Sequence, residues 1–195
     1  MRKLIVCNLM SLDGYYTGPG GNVMALPMDG ALNEPYFLER MRAADTLLLG
    51  RISYKNFIGF WPPLADDPAA SEVEREIGAL YRTIDKVVVS GTLAAGDIVE
   101  WRETTSVVRP AEVTGWLAER KRAPGHDILT FGSRTTWTPL LTSGLVDELH
   151  LLVGPGAVTD GTPLFAKPLT GLRLLEARYP KGADAVMLRY ATRHD

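Results

Sequence analysis

An α/β fold with a largely parallel central sheet is the class this sequence predicts, and three features carry the prediction. Short runs rich in leucine or β-branched residues alternate with segments of helical periodicity along most of the chain. Three of those runs stop at a glycine, in Leu49-Gly50, Ser90-Gly91 and Phe131-Gly132. The chain then closes on two strand-like segments around Pro180-Lys181-Gly182, which read as an antiparallel hairpin.

Taken in order, residues 3–10 read as the first strand, Ser11-Leu12-Asp13-Gly14 as a turn and Tyr15-Tyr16-Thr17 as a return to extended backbone. Gly18-Pro19-Gly20-Gly21-Asn22 is too dense in breakers to be anything but a loop. Residues 33–43 carry Phe37, Leu38 and Met41 at helical spacing, which places Asn33 as N-cap with Glu34 and Pro35 in the first turn. Thr46-Leu47-Leu48-Leu49 lacks polar alternation, as a strand buried on both faces should. Gly50 permits a tight turn into a helix that begins at Arg51 and ends around Trp61-Pro62-Pro63. A second helical pattern spans 70–82, with Val73, Ile77 and Leu80 on one face.

Lys86-Val87-Val88-Val89-Ser90 is a β-branched strand, and the polar segment 97–108 reads as containing a short edge strand. A helix over 110–122 turns Val113, Trp116 and Leu117 inward and stops at Pro124-Gly125. Asp127 to Phe131 is again a buried strand, followed by a helix over 133–142 that Pro139 closes or kinks. A strand within 145–153, a glycine-rich loop over 154–163, and hairpin strands at 172–179 and 185–191 complete the chain.

A length of 195 residues, 46% hydrophobic and 23% charged, is that of one ordinary globular domain spanning 1–195. A net charge of -2 gives no reason to expect a nucleic acid or an anionic membrane as partner. No apolar run is long enough for a membrane span, and Leu4-Ile5-Val6 is too short for a signal-peptide core, so a cytoplasmic location is expected. Cys7, alone in the sequence, forms no internal disulfide and reads as a buried structural thiol. His126, His150 and His194 have no metal-ligand spacing, so no metal is expected. His150, between Leu149 and Leu151, reads as a satisfied buried or interface histidine.

The junction at Gly50 carries the chemistry. A strand that runs through glycine into a helix start presents free backbone N–H groups and a positive dipole end, which together bind anions. Arg51 adds a planar cationic fork suited to a phosphate, and Ser53 a hydroxyl. In a parallel sheet the three glycine-terminated strands open onto one edge, where ligands bind. That convergence points to an elongated, phosphate-bearing cofactor.

The sequence resembles the dihydrofolate-reductase-like superfamily, in particular the branch of the C-terminal reductase domain of the riboflavin-biosynthesis deaminase/reductase. The resemblance is carried by Ser11-Leu12-Asp13-Gly14, Leu49-Gly50-Arg51-Ile52-Ser53-Tyr54, Val88-Val89-Ser90, Phe131-Gly132-Ser133, Gly144-Leu145-Val146-Asp147-Glu148-Leu149 and Gly161-Thr162-Pro163-Leu164-Phe165. It implies a three-layer fold, a mixed and mostly parallel sheet of about eight strands, a homodimer and NADPH as hydride donor. It also implies Arg51 at the ribose 2′-phosphate, Ser53 at the pyrophosphate, and Ser90 with Thr92 beside the adenosine ribose. Gly132, Ser133, Arg134 and Thr135 would form a second pyrophosphate cradle, and the Leu145–Val153 strand with the C-terminal hairpin could supply the dimer surface.

Two departures qualify that reading. Riboflavin-pathway reductases carry a glutamate where this chain has Phe131, and a second glycine where it has Ser133, which argues against the riboflavin intermediate as substrate. Counting back from Gly50 puts Glu34 near the acid that dihydrofolate reductases use, although a capping role at a helix start competes with that assignment. Asp13, in the turn where the resemblance brings nicotinamide and substrate together, is the other candidate proton source, with Tyr15 or a water beside it; a turn aspartate bonding its own backbone is the alternative. Trp61, Tyr36 and Tyr54 read as core, with a wall for a flat substrate as the second reading. The expectation is an NADPH-dependent reductase of a small, pterin- or pyrimidine-like molecule. A non-catalytic nucleotide-binding or ligand-sensing protein on the same fold is the alternative.

Overall fold

The computed structural model describes residues 1–192; His194 lies outside the described residues. Among the described residues ten strands and five α-helices follow one another: β1 (Leu4–Met10), β2 (Tyr15–Thr17), α1 (Gly30–Arg42), β3 (Ala44–Gly50), α2 (Arg51–Leu64), α3 (Glu72–Thr83), β4 (Asp85–Val89) and β5 (Thr105–Val108). Then come α4 (Val113–Arg122), β6 (Asp127–Phe131), α5 (Arg134–Thr142), β7 (Glu148–Val153), β8 (Thr162–Pro163), β9 (Arg173–Arg178) and β10 (Val186–Ala191). Eight strands form one sheet in the order β5-β4-β3-β6-β1-β7-β10-β9, while β2 and β8 make a small separate ribbon. The pairs from β5 through β7 are all parallel, and β10 runs antiparallel to both β7 and β9.

Layering follows from the strand sequences. In β3, Leu47 and Leu49 join one buried cluster and Leu48 the other, so both faces of this strand are dry. The first cluster packs Tyr36 and Met41 of α1, Tyr54 and Trp61 of α2, and Ile77 and Tyr81 of α3 onto the sheet. The second packs Val113 and Leu117 of α4 and Trp137 and Leu140 of α5 onto the opposite face. Each fully buried side chain of this size contributes roughly 1.5–3 kcal/mol, which explains why helices with weak local signals still hold. The α3 helix is also fixed at its start, where Ser71 and Glu74 form a reciprocal capping box.

Several local readings change. The α1 helix begins at Gly30 with Asp29 as N-cap, its carboxylate accepting from Ala31 N–H at 2.9 Å, so Asn33 and Glu34 lie inside the helix and cap nothing. Pro35 misleads because proline favours a first turn, yet here it stands in the second, where a helix can accommodate the missing N–H at a cost. The end of α2 stays near where it was expected, with Pro62 and Pro63 in the last turn before Leu64. The sheet strand in 145–153 starts only at Glu148, and the segment 97–108 becomes a strand at Thr105 on the sheet edge. Trp61, Tyr36 and Tyr54 are core side chains, which removes them as a substrate wall. Because β7 is paired on both sides and buried, it is not available to a second copy.

Candidate functional site

Adjacent strands β3 and β6 send their following helices to opposite faces of the sheet, α2 to one and α5 to the other. Where neighbouring connections diverge in this way, a crevice opens beyond the carboxyl ends of the strands. The cleft found there has a volume of about 600 Å³. It runs from Ser90, Gly91 and Thr92 at the end of β4, past Gly50, Arg51 and Ser53, to Ser133, Arg134 and Thr135, and on to Tyr16, Thr17 and Val23. Among the described residues its lining holds two arginines, no carboxylate and nine hydroxyl groups, so its fixed charge is positive.

Backbone geometry shapes the floor. Gly50 has an ordinary φ of -75°, so it is not there to permit a left-handed turn. It is there for space: a Cβ at this position would lie 2.8 Å from Thr136 Oγ1. The Gly50 N–H donates to Ser133 Oγ at 3.0 Å, and Ser133 N–H donates to Ser53 Oγ at 3.2 Å, so the starts of α2 and α5 are stitched together. Gly132 and Ser133 are both left-handed, with φ of 59° and 53°, and their N–H groups donate to Cys7 O at 3.3 Å and Ser53 Oγ at 3.2 Å. A serine held there carries strain of the kind that concentrates at functional sites.

The other predicted residues fall around this floor. Ser90 Oγ accepts from the N–H groups of Thr92 at 3.2 Å and Leu93 at 2.9 Å, shaping the turn at the far end of the cleft. Arg109, which the sequence reading passed over, braces that turn by donating to the carbonyls of Ser90 and Leu93. Arg134 Nε donates to Leu164 O at 2.8 Å. Tyr16, also passed over, brings its hydroxyl against Gly132, where a Cβ would stand 3.1 Å from it. Burial pushes the Tyr16 hydroxyl up, against the opposing pull of the Arg134 and Ser133 backbone N–H groups and the Arg134 charge.

With this cleft on the page, the comparison with known proteins is specific. Residues 2–179 match the RibD C-terminal domain. The chain belongs to that family. It is 28% identical over 179 residues, 91% of this chain and 88% of its counterpart, to the uncharacterized protein YyaP of Bacillus subtilis. Its fold is that of a pyrimidine reductase-like protein from Corynebacterium diphtheriae, at 16% identity and a TM-score of 0.59 over 100% of this chain and 93% of the other. It is also that of dihydrofolate reductase from Enterococcus faecalis complexed with NADP(H), at 13% identity and a TM-score of 0.61 over 97% and 95% of the two chains. The RibD C-terminal family is one of reductases on the dihydrofolate-reductase-like fold.

Within this RibD C-terminal domain the two candidate acids stand apart from the cleft lining. Asp13 is bound up: it accepts from Ser11 Oγ at 2.5 Å, Thr159 N–H at 2.9 Å and Val158 N–H at 3.2 Å. The Ser11 hydroxyl first, then those two amides, hold its carboxyl below the usual range. It therefore stays ionised and ties the 154–161 loop to the first turn; the alternative of a bond to the backbone two residues on is not met, because the Tyr15 N–H donates to Ser11 Oγ at 2.9 Å. Glu34, in the second turn of α1, differs: burial and the facing charge of Glu74 push its carboxyl up. It is the one carboxyl among the described residues shifted in that direction, which suits a proton donor. No group of three or more acidic, histidine or cysteine side chains among the described residues is arranged to hold a metal ion.

Proposed function

We propose that this protein is an NADPH-dependent reductase that delivers hydride to a small, pterin- or pyrimidine-like molecule. The observation that carries the reading is the acid-free cleft at the β3/β6 divergence, with two helix starts and the arginines 51 and 134 on its wall. Its donors fit a dinucleotide. Arg51 would meet the ribose 2′-phosphate, Ser90 and Thr92 the adenosine ribose, and Ser53 with Gly132, Ser133, Arg134 and Thr135 the pyrophosphate. The preference for NADPH over NADH rests on charge, since a bare 2′-hydroxyl is met by an acid and this cleft has none.

When bound, the cofactor supplies a hydride; the chain must position the acceptor and deliver a proton to the anion that forms. Glu34 is the proposed donor on the position in the first long helix where the resemblance puts the reductase acid, with burial and Glu74 pushing its carboxyl up; it stands outside the cleft lining. Asp13 acts through the loop it holds. Phe131, buried and packed against Phe37 with ring centroids 4.3 Å apart, leaves no carboxylate where the riboflavin branch has its glutamate. That feature points away from the riboflavin intermediate. It also supports the second reading, a nucleotide-binding or ligand-sensing protein without turnover. We place the homodimer contact on the β9–β10 hairpin alone.

Titrating NADPH and NADH by fluorescence into the wild type and Arg51→Ala tests the reading. Losing one arginine–phosphate hydrogen-bonded contact should weaken NADPH by about 1.5–3 kcal/mol and leave NADH little changed. If NADPH does not bind, or both dinucleotides respond alike to the substitution, the reductase proposal fails. Binding without turnover across pterins, pyrimidines and carbonyl compounds would leave the sensing reading.

A further inference from the structure

Ser133 occupies the N-cap of α5, from which a serine hydroxyl ordinarily accepts an N–H of the first turn, yet it makes no such bond. Its φ of 53° lies in the region that favours glycine. The hydroxyl turns back toward the sheet: it accepts from Gly50 N–H at 3.0 Å and donates to Phe131 O at 3.2 Å. One side chain thus bridges the last residue of β3 to the last residue of β6, where the two strands send their helices apart. A glycine would suit the backbone and could not make this bridge.

The amide of the same residue reaches the cleft through another hydroxyl. Across the planar trans peptide joining Gly132 to Ser133, the carbonyl and the N–H point opposite ways. Trp137 Nε1 donates to Gly132 O at 2.9 Å and holds that end inward. The Ser133 N–H therefore faces Ser53 Oγ, to which it donates at 3.2 Å. Ser53 lines the cleft at the start of α2 and, among the described residues, gives its own proton to no acceptor. A hydroxyl whose lone pair takes an N–H turns its hydrogen away from that bond and becomes a better donor. Ser133 itself is 5% exposed with its hydroxyl engaged as both donor and acceptor, which leaves little of its side chain to a ligand.

We propose that Ser133 is a positioning residue: its hydroxyl ties the ends of β3 and β6 at a fixed spacing, and its amide orients the Ser53 hydroxyl so that the Ser53 proton is offered to a phosphate oxygen in the cleft. This deepens the proposed cofactor site and rests on it for the identity of the ligand. Within that cradle Ser133 serves the pyrophosphate through Ser53 and not by its own side chain. The left-handed backbone at 133 is part of the device, since it turns the hydroxyl to the sheet and the amide to Ser53 at once.

Calorimetric titration of inorganic pyrophosphate and, separately, NADPH into the wild type, Ser133→Gly, Ser53→Ala and the double variant tests the proposal, at a temperature where every chain is folded. Ser133→Gly suits the backbone and removes the bridge, so pyrophosphate should bind about 3- to 10-fold more weakly, the loss of one ordinary hydrogen bond. Ser53→Ala should weaken it to a similar degree, and adding Ser133→Gly to Ser53→Ala should change little, because the two act on one contact. A role confined to stability predicts a lower Tm with wild-type affinity, and that result overturns the proposal. So do losses that simply multiply, since Ser133 then acts without Ser53. Ser133→Ala removes the same hydroxyl while keeping the backbone strain, and it takes the place of Ser133→Gly should that variant not fold. The two should match in affinity; a deficit in the alanine variant alone assigns the effect to strain and rejects the bridge. Coupled losses for pyrophosphate with no NADPH binding keep the positioning role and sink the dinucleotide reading, and NADPH binding with multiplying losses does the reverse. No binding of either ligand to the wild type overturns both.

Discussion

Tyr36 Oη stands 2.7 Å from His150 Nδ1, joining α1 to β7 across the buried face of the sheet. The other ring nitrogen of His150 is 2.8 Å from Glu148 Oε2, which also accepts from Arg189 at 3.0 Å, while Glu148 Oε1 accepts from Lys3 at 2.6 Å. One assignment satisfies every partner: a neutral histidine donating from Nε2 to Glu148 and accepting the Tyr36 proton at Nδ1. Burial keeps the imidazole from charging, and the His150 bond, followed by Lys3 and Arg189, holds Glu148 well below the usual carboxylate range. Cys7 Sγ lies 3.6 Å from the same Nδ1, but burial pushes the thiol up, so this geometry does not make a nucleophile.

Removing the Tyr36 hydroxyl should therefore cost more than a surface hydrogen bond. Tyr36→Phe leaves His150 Nδ1 buried without its donor, and the expected loss is about 1–3 kcal/mol in urea denaturation. A loss below 0.5 kcal/mol, roughly the lower limit for a net hydrogen bond, would show that the thiol or a water replaces the tyrosine.

The same cluster fixes the sign of the acid response. His150 has a folded pKa below its unfolded one, so as pH falls past about 6.5 the unfolded chain takes up a proton that the native chain refuses. Glu148 behaves alike from about pH 4.5 downward, where the unfolded carboxyl protonates and the native one does not. Both contributions are complete above those values and are lost on acidification. Stability measured by denaturation should fall from pH 7 to pH 4, and Glu148→Gln should flatten the lower part of that curve. A variant that keeps the full wild-type slope below pH 4.5 would remove Glu148 from the account.

How far the sequence could lead is seen at Gly50 and Tyr16. The alternation of strands and helices and the convergence of three strand ends were legible because apolar runs, glycines and helical periods are local signals. The reason for Gly50 was not, since its clash partner Thr136 is 86 positions away and nothing local shows that approach. Tyr16 and Arg109 were missed for the same reason: one reaches α5 from a three-residue strand, the other braces a turn 19 positions earlier. Asn33 drew the helix start away from Asp29 because Pro35 carried the stronger local rule.

Space at Gly50 can be tested by restoring it. Gly50→Ala places a methyl 2.8 Å from Thr136 Oγ1, and overpacking of this kind costs about 1–3 kcal/mol. Thr136→Ala in the same chain removes the obstructing atom, so the double variant should recover most of the loss in thermal denaturation. Additive losses would mean that Gly50 is required for something other than room.

The exposed hairpin gives a prediction about assembly. Leu174 and Leu175 of β9 and the neighbouring Tyr179 are solvent-exposed on the edge strand, a setting that natural proteins usually cover or charge. If two copies meet there, Leu174→Glu should convert a dimer into a folded monomer in light scattering. A wild type that is monomeric at all concentrations would reject the assignment.

Asp13 offers the last test, because its tether can be cut without touching the cleft. Its carboxylate takes two backbone N–H groups from Val158 and Thr159, the latter left-handed at φ 60°, and so fixes a loop that also meets the first turn through Leu12 N–H to Gly156 O at 2.8 Å. Asp13→Ala leaves those two amides to water and the left-handed threonine without its anchor. Amide exchange over 157–161 should then quicken by about tenfold or more, the rate equivalent of roughly 1.4 kcal/mol of local protection, while exchange in the central strands stays as in the wild type. If Asp13 were instead a proton donor with no part in holding the loop, exchange there would not change and only turnover would respond.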